Sequence, residues 1–406
     1  MTDVALHSSR LGGRLRQPGT VLLDGALVDA DTGRAGTWLF SEPREILVAR
    51  AMEDVEPLLR ALDDALVRGQ YVAGWLAYEA GYALEPDRFQ GAPFSSPLAW
   101  FGVYGAPSAV EPARLGDALP EAGGVEDLTP GLEADAYRRG IARVREHIRE
   151  GDVYQINLTW PLRFRTADSL ALYAALRRRQ PTAYGALVRS GDLDVLSLSP
   201  ELFFRVQPGP TEAERIVTAR PMKGTAPRGA TPSDDQRLAD RLTADPKNRA
   251  ENLMIVDLLR NDLGRVATRG SVRVPQLFHA ERYPTVTQMT STVQADLRPD
   301  IGLADVMRAL FPCGSVTGAP KLRAMEIIRE IESGPRGVYC GAVGYAAPRE
   351  GGGLGRAAFN VPIRTAVVRD GEGRYDVGSG VVWDSDWRSE WDECWLKAEV
   401  LTGLAR

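Results

Sequence analysis

An α+β fold is predicted for this chain by three features of its sequence. Strand-like apolar runs often follow one another through loops, helical patterns are interspersed without strict alternation, and no repeat period is visible. Glu45-Ile-Leu-Val-Ala predicts a strand, residues 54–67 have helical spacing, and Tyr71-Val-Ala-Gly-Trp-Leu-Ala-Tyr again reads as a strand, so residues 38–104 form a compact region. From 105 to 131 the chain turns to Pro, Gly, Ala and acid, including Ala106-Pro107, Glu111-Pro112, Leu119-Pro120 and Thr129-Pro130, which predicts a linker or surface loop. A boundary there separates an N-terminal region, 1–120, from a larger region, 135–404. The second region opens with a helix over 135–150. Strands are predicted over 153–164, 185–198 and 361–368, further helices over 246–263, 319–332 and 390–401, and a hairpin tip at Gly351-Gly-Gly353.

At 406 residues, the length calls for one large layered domain or two. With 44% apolar residues, 25% charged residues and a formal net charge of −5, the chain has no general attraction for nucleic acid or anionic membrane, so any anionic ligand must be held by local charges. The start, Met1-Thr-Asp-Val-Ala-Leu-His7, lacks a basic segment followed by an apolar core, and no apolar run is long enough to cross a bilayer; a cytoplasmic protein is expected. Cys313, Cys340 and Cys394 have no C-x-x-C spacing and read as structural thiols, while His7, His147 and His279 are too scattered for a His-rich metal centre.

The sharpest signal is the lysine usage. Lys223, Lys247, Lys321 and Lys397 stand against forty-five arginines, which with them make up the 49 basic residues. Lysine differs from arginine in being a compact charge whose amine can lose its proton and act as nucleophile or base. Lys223 lies in Arg220-Pro-Met-Lys-Gly-Thr225, where Gly224 lets backbone N–H groups and the Thr225 hydroxyl approach an anion; a solvent-facing loop lysine is the plainer reading. Gly314-Ser-Val-Thr-Gly-Ala-Pro-Lys321 lacks the Gly-Lys-Ser/Thr of a nucleotide-binding loop, yet its Gly-rich turn with Pro320 just inside a helix start suits an anion.

At 100° per residue Glu390, Glu393 and Lys397 fall within about 60° of one another, beside an apolar stripe of Trp391, Cys394, Trp395, Ala398 and Leu401. Two carboxylates one turn apart suit Mg²⁺; a solvated face with a Glu393–Lys397 pair is the ordinary alternative. Glu251 shares a helix face with Met254, Ile255, Leu258 and Leu259 and needs a partner there, either an arginine such as Arg249 or Arg260, or a metal shared with the other acids.

These segments in this order resemble the chorismate-utilising enzymes. The resemblance covers nearly the whole chain and is carried by Gly151-Asp-Val-Tyr-Gln-Ile-Asn-Leu, Ser199-Pro-Glu-Leu-Phe, Arg220-Pro-Met-Lys-Gly-Thr, Arg249-Ala-Glu-Asn-Leu-Met-Ile-Val-Asp-Leu-Leu-Arg-Asn-Asp, Cys313-Gly-Ser-Val-Thr-Gly-Ala-Pro-Lys, Asn360-Val-Pro-Ile-Arg-Thr and Gly378-Ser-Gly-Val-Val. It implies two packed, largely antiparallel sheets flanked by helices, with the N-terminal region sharing in them. Gly74-Trp-Leu-Ala-Tyr-Glu-Ala-Gly-Tyr and Lys223 are similar to the aminodeoxychorismate branch; anthranilate synthases typically carry Ala at the Lys223 position.

The resemblance further implies that Lys223 is a covalent nucleophile and Glu201 the general acid. Gln155 stands where isochorismate-forming relatives have a water-activating lysine. Glu251, Glu390 and Glu393 would bind Mg²⁺, Gly224 and Thr225 the ring carboxylate with Lys397 close by, Arg364 and Tyr339 the enolpyruvyl carboxylate, and Gly378 and Gly380 would offer backbone N–H groups. Two departures are Gln288, where many relatives have His, and Leu22-Leu-Asp-Gly25, where tryptophan-inhibited relatives show Leu-Leu-Glu-Ser. No Cys is set in a glutaminase elbow, so ammonia is expected from a separate glutamine amidotransferase subunit, with chorismate as the other substrate.

Overall fold

The computed structural model of the chain describes residues 8–25, 36–211, 214–282 and 286–405; the N-terminal segment with His7 lies outside them. Among the described residues two ten-stranded sheets face one another, and every strand pairing within them is antiparallel. The first sheet runs Gly318–Ala319, Gln155–Arg165, Glu372–Val381, Thr365–Arg369, Asp194–Ser199, Tyr184–Arg189, Thr20–Gly25, Gly36–Phe40, Ser108–Ala109, with Glu126–Pro130 also beside Gln155–Arg165. The second runs Met222–Pro227, Val286–Asp296, Arg215–Arg220, Leu202–Pro208, Leu354–Asn360, Ala342–Pro348, Tyr71–Leu76, Ala99–Tyr104, Glu45–Ala49, with Arg273–Arg282 beside Val286–Asp296.

Strands from before residue 110 thus stand in both sheets, and Tyr71–Leu76 pairs with Ala342–Pro348, so the regions 1–120 and 135–404 are woven through common sheets. The stretch 105–131 differs from the linker its composition predicts. It contains strand Ser108–Ala109, helix Pro112–Ala118, which buries Leu115, and strand Glu126–Pro130. Pro112 opens the helix and Pro130 ends its strand, while Pro107 and Pro120 lie just outside these elements, so no ladder N–H is lost. The predicted run 185–198 is a hairpin of two strands turning near Gly191, whose φ of +91° glycine adopts readily.

Three apolar layers result. Between the sheets, Val21, Leu23 and Phe40 of the first meet Trp75, Trp100 and Tyr345 of the second. Trp38 and Tyr345 pack edge to face across the gap, with ring centroids 5.1 Å apart. Outside the first sheet lie helices Ala134–Arg149, Ser169–Arg179, Lys321–Ile331 and Trp387–Thr402. Outside the second lie Met52–Val67, Pro246–Gly264 and Leu303–Leu310. Burying each large apolar side chain in these layers contributes roughly 1.5–3 kcal/mol.

The two helices that bear the acidic candidates are well specified locally. Asp245 caps Pro246–Gly264, accepting from Asn248 N at 2.7 Å, with Pro246 as first residue. Asp386 caps Trp387–Thr402, accepting from Ser389 N at 3.0 Å, and the stripe read from the sequence buries Cys394, Ala398 and Leu401 while Trp391 stacks on Trp160 at 4.7 Å. The predicted helix 319–332 begins only at Lys321, because Ala319 belongs to a strand and Pro320 is the extended cap residue.

Candidate active site

Lys223 is placed by a bulge. Met222 pairs with Thr290 and Thr225 with Gln288, so Lys223 and Gly224 together oppose the single residue Met289. Gly224 takes φ +83°, and a Cβ there would stand 2.9 Å from the Asn248 side chain, so only glycine lets this strand meet the start of the Glu251 helix. The extra residue turns the Lys223 side chain inward. A Cβ built on Gly380 would lie 3.1 Å from Lys223 Nζ and 2.6 Å from Gln155 Nε2, which puts amine and amide together over Gly380. Burial holds the Lys223 amine below its ordinary value; Glu251 opposes this and Lys397 reinforces it.

Glu201 is placed by a second irregularity, a register shift just beyond it between Leu202 and Phe204. Its backbone is tied on both sides: Ser199 Oγ accepts from Glu201 N at 3.1 Å, and Glu201 O accepts from Val361 N at 3.1 Å. The carboxyl is buried, and desolvation pushes it up to about 7, against Ser315, Lys223 and Lys397, which lower it. Ser315 Oγ donates to Glu201 Oε1 at 2.6 Å. Nothing in the Ser315 segment, which reads locally as a Gly-rich backbone turn, signals this contact.

Glu390, Glu393 and Lys397 do share one side of their helix. Glu390 Oε1 accepts from Ser385 Oγ at 2.7 Å, and Lys397 Nζ pairs with Glu393 Oε1 at 2.5 Å while also donating to Gly378 O at 2.7 Å. The helical pair exists, but its lysine is anchored to the strand carrying Gly378 and Gly380. Gly378 therefore offers a carbonyl to Lys397, and a Cβ on it would lie 2.6 Å from Thr159 Cγ2, so it is close strand packing that requires glycine.

Glu251 pairs with neither arginine named as its alternative: Arg249 lies over Phe278 and Arg260 pairs with Asp257 at 2.8 Å. Burial raises the Glu251 carboxyl, Lys223 and Lys247 lower it, and Glu390 and Glu393 raise it further. A desolvated carboxylate with no hydrogen-bond or ion-pair partner among the described residues, facing two more acids, fits a hard divalent cation. The three carboxylates are not drawn tight. Among the described residues, only His147, Glu150 and Asp152 bring three candidate ligand atoms within 4.8 Å of one another, and there His147 Nδ1 and Arg323 already engage Asp152.

Tyr339 and Arg364 are brought to neighbouring segments, since Cys340 N donates to Pro362 O at 3.2 Å. Arg364 takes φ +52°, and its Nη1 donates to Gln180 Oε1 at 3.4 Å. Burial raises the Tyr339 phenol well above its usual range, so it is a neutral donor. Of the other lysines, Lys321 is a half-buried brace to Asp262 at 2.6 Å and Leu310 O at 2.8 Å, not an anion site, and Lys247 is exposed. Asp24 of the Leu22-Leu-Asp-Gly25 segment is held by Arg177 and Thr37.

Residues 28–403 match the family model described as chorismate binding enzyme. The chain is 41% identical over 272 residues to a probable chloroplastic aminodeoxychorismate synthase of Oryza sativa subsp. japonica, covering 66% of this chain and 29% of that protein. It is 40% identical over 306 residues to anthranilate synthase component 1 of Streptomyces coelicolor, covering 74% of this chain and 57% of that one. The chain thus spans well under two thirds of these relatives. In fold it is similar to the crystal structure of anthranilate synthase component I from Streptococcus pneumoniae TIGR4, with TM-score 0.76, 24% identity, and coverage of 92% of this chain and 93% of that one. No helix among the described residues is long and apolar enough to cross a membrane.

Proposed function

This chain belongs to the chorismate binding enzyme family, and from that premise we propose that it replaces the C4 hydroxyl of chorismate by an amino group, forming 4-amino-4-deoxychorismate. One observation carries the proposal: Lys223, the position that divides the aminating branches, holds a desolvated amine of depressed pKa close enough to the protonatable Glu201 for each to shift the other. From an ordinary value near 10.5, an amine must be shifted downward to be appreciably neutral at physiological pH, and burial beside Lys397 acts in that direction.

In this reaction the neutral Lys223 amine bonds to ring carbon C2. The ring double bonds shift, the C4–oxygen bond breaks, and the Glu201 proton passes to the departing hydroxide, giving water. Ammonia then bonds at C4, the double bonds shift back and the C2–lysine bond breaks. The proton shed by the incoming ammonia restores the acid, so chorismate and ammonia give the amino product and water. Gln155, an amide over Gly380, cannot deprotonate water, which favours amination over hydroxylation.

Glu251, Glu390 and Glu393 would hold Mg²⁺, which when bound neutralises the ring carboxylate. Gly224, in the bulge against Asn248 at the helix start, and Thr225 next to it would cradle that carboxylate, while Arg364 and Tyr339 would take the enolpyruvyl carboxylate. The ammonia source proposed is a glutamine amidotransferase partner, and a cytoplasmic location accompanies this reading. Amination at C2 with loss of pyruvate is the second reading, favoured by the relative named anthranilate synthase component 1.

The deciding experiment is mass-spectrometric identification of the product from chorismate, Mg²⁺ and an ammonium salt. Aminodeoxychorismate is expected; anthranilate and pyruvate would install the second reading. Lys223→Ala and Lys223→Arg should both lose most turnover while still binding chorismate, and omission of ammonia should leave ligand mass on the Lys223 peptide. Chelation of Mg²⁺, or Glu393→Ala, should abolish turnover with the melting temperature unchanged, and full activity in excess chelator would remove the metal from the scheme.

A further inference from the structure

The orientation of the acid proton on Glu201 follows from a hydrogen-bond chain that the reaction scheme does not use, and the inference rests on Glu201 being the general acid. Glu201 Oε1 accepts from Ser315 Oγ at 2.6 Å, and Ser315 Oγ lies 3.2 Å from Cys313 Sγ. All three residues are buried, Cys313 at 3%, Glu201 at 5% and Ser315 at 8% exposure. Glu201 Oε2 makes no hydrogen bond among the described residues. The charged groups facing the carboxyl from other elements are Lys223 and Lys397.

A hydroxyl has one proton to give, so the chain runs in one of two directions. In the first, the thiol donates to Ser315, Ser315 donates to Oε1, and the carboxyl proton must reside on Oε2. In the second, the carboxyl proton sits on Oε1 and is spent on Ser315, which turns its own proton to the sulfur, a weak acceptor. The second arrangement leaves the acid with nothing to give to substrate. The bond from Ser315 Oγ to Oε1 is the one the first arrangement requires, and the Cys313 thiol, which burial pushes up to about 12, carries the proton it needs to complete that chain as donor.

We propose that Ser315 is a positioning residue for the general acid and that the Cys313 thiol fixes its direction, holding the transferable proton on Glu201 Oε2. Neither residue gains or loses a proton over the cycle. The Oε2–H bond breaks as the leaving hydroxyl becomes water, and the Ser315 bond strengthens as negative charge appears on the carboxylate, which is stabilisation realised in the transition state.

The test compares Ser315→Ala, Ser315→Thr, Cys313→Ser and Cys313→Ala with chorismate, Mg²⁺ and an ammonium salt. Ser315→Ala should lower kcat about 10- to 100-fold, the size of one hydrogen bond to a charged group, with KM nearly unchanged. The basic limb of its kcat/KM profile should move to higher pH, since a bond that favours the carboxylate has gone. Ser315→Thr and Cys313→Ser, which keep a hydrogen-bond donor at each position, should recover turnover, and Cys313→Ala should not. Wild-type kcat in Ser315→Ala, or a fall in kcat with the limb unmoved, overturns the positioning role. If Ser315→Ala fails to fold, the cysteine pair decides, because equal turnover in Cys313→Ser and Cys313→Ala removes the thiol's part. Wild-type turnover in Glu201→Gln would instead overturn the acid assignment itself.

Discussion

Two glutamates in this molecule are buried to nearly the same degree, and burial pushes both up to about 7, yet their surroundings differ. Glu79, beyond the strand Tyr71–Leu76, accepts from Arg336 N at 2.7 Å on one oxygen and from Gly337 N at 3.0 Å on the other. The Arg336 guanidinium is spent elsewhere, on Glu332 at 2.7 Å, Asn157 O at 2.7 Å and Val316 O at 2.7 Å, and Glu332 in turn receives Thr159 N at 2.8 Å. This region ties the loop after helix Lys321–Ile331 to both sheets. Glu201 has one oxygen engaged by Ser315, one free among the described residues, and the Lys223 amine within electrostatic reach. Desolvation raises a carboxyl in either place; an uncommitted oxygen beside a reacting partner separates an acid from a brace.

The contrast can be broken most forcefully at Glu201. Glu201→Gln keeps size and burial but removes the proton, so kcat should fall about 10²–10⁴-fold with the melting temperature unmoved; a variant that melts early with kcat preserved would exchange the two roles. The reverse pattern is expected at Glu79. Glu79→Ala leaves the buried Arg336 N–H and the half-buried Gly337 N–H without acceptors and should destabilise the fold by about 1–3 kcal/mol while the correctly folded fraction keeps its kcat, measurable by denaturant unfolding beside active-site titration.

The smallest effect is in pH dependence. Both carboxyls bind their protons more tightly folded than unfolded, so the stability they contribute is full below about 4.5, the ordinary value, and is lost as pH rises through about 7. Turnover should lose its acid over the upper part of that window. In Glu79→Gln the stability slope should flatten and the kcat/KM profile stay put; a shifted kcat/KM limb in that variant would mean that the brace and the acid titrate together.

What the sequence disclosed follows from the range of the contacts involved. The helices bearing Glu251 and Glu390 are legible because periodic apolar residues and caps lie within the helix itself. Strand Tyr71–Leu76 is legible because both its faces are covered, leaving an unbroken apolar run. Hairpin Arg273–Arg282 with Val286–Asp296 shows no such run, since its first strand is largely exposed and the second is rich in Thr and Gln. Strand Met222–Pro227 is hidden for another reason. Its Lys-Gly bulge reads as a loop until the partner register is known. Glu79 and Ser315 both sit inside recognisable motifs, but their partners lie 257 and 114 residues away, where no local pattern reaches.

The weaving of the sheets bears on how the chain is made. Strand Tyr71–Leu76 finds one neighbour, Ala99–Tyr104, early, but its other edge is completed by Ala342–Pro348, which leaves the ribosome about 270 residues later. At a synthesis rate of roughly 5–20 residues per second, an apolar edge containing Val72 and Trp75 waits on the order of 15–50 s for its partner. During that interval the nascent chain presents an open strand edge of the kind that pairs with other chains, so its yield in a cell should depend on chaperone occupancy more steeply than the stability of the finished protein would indicate.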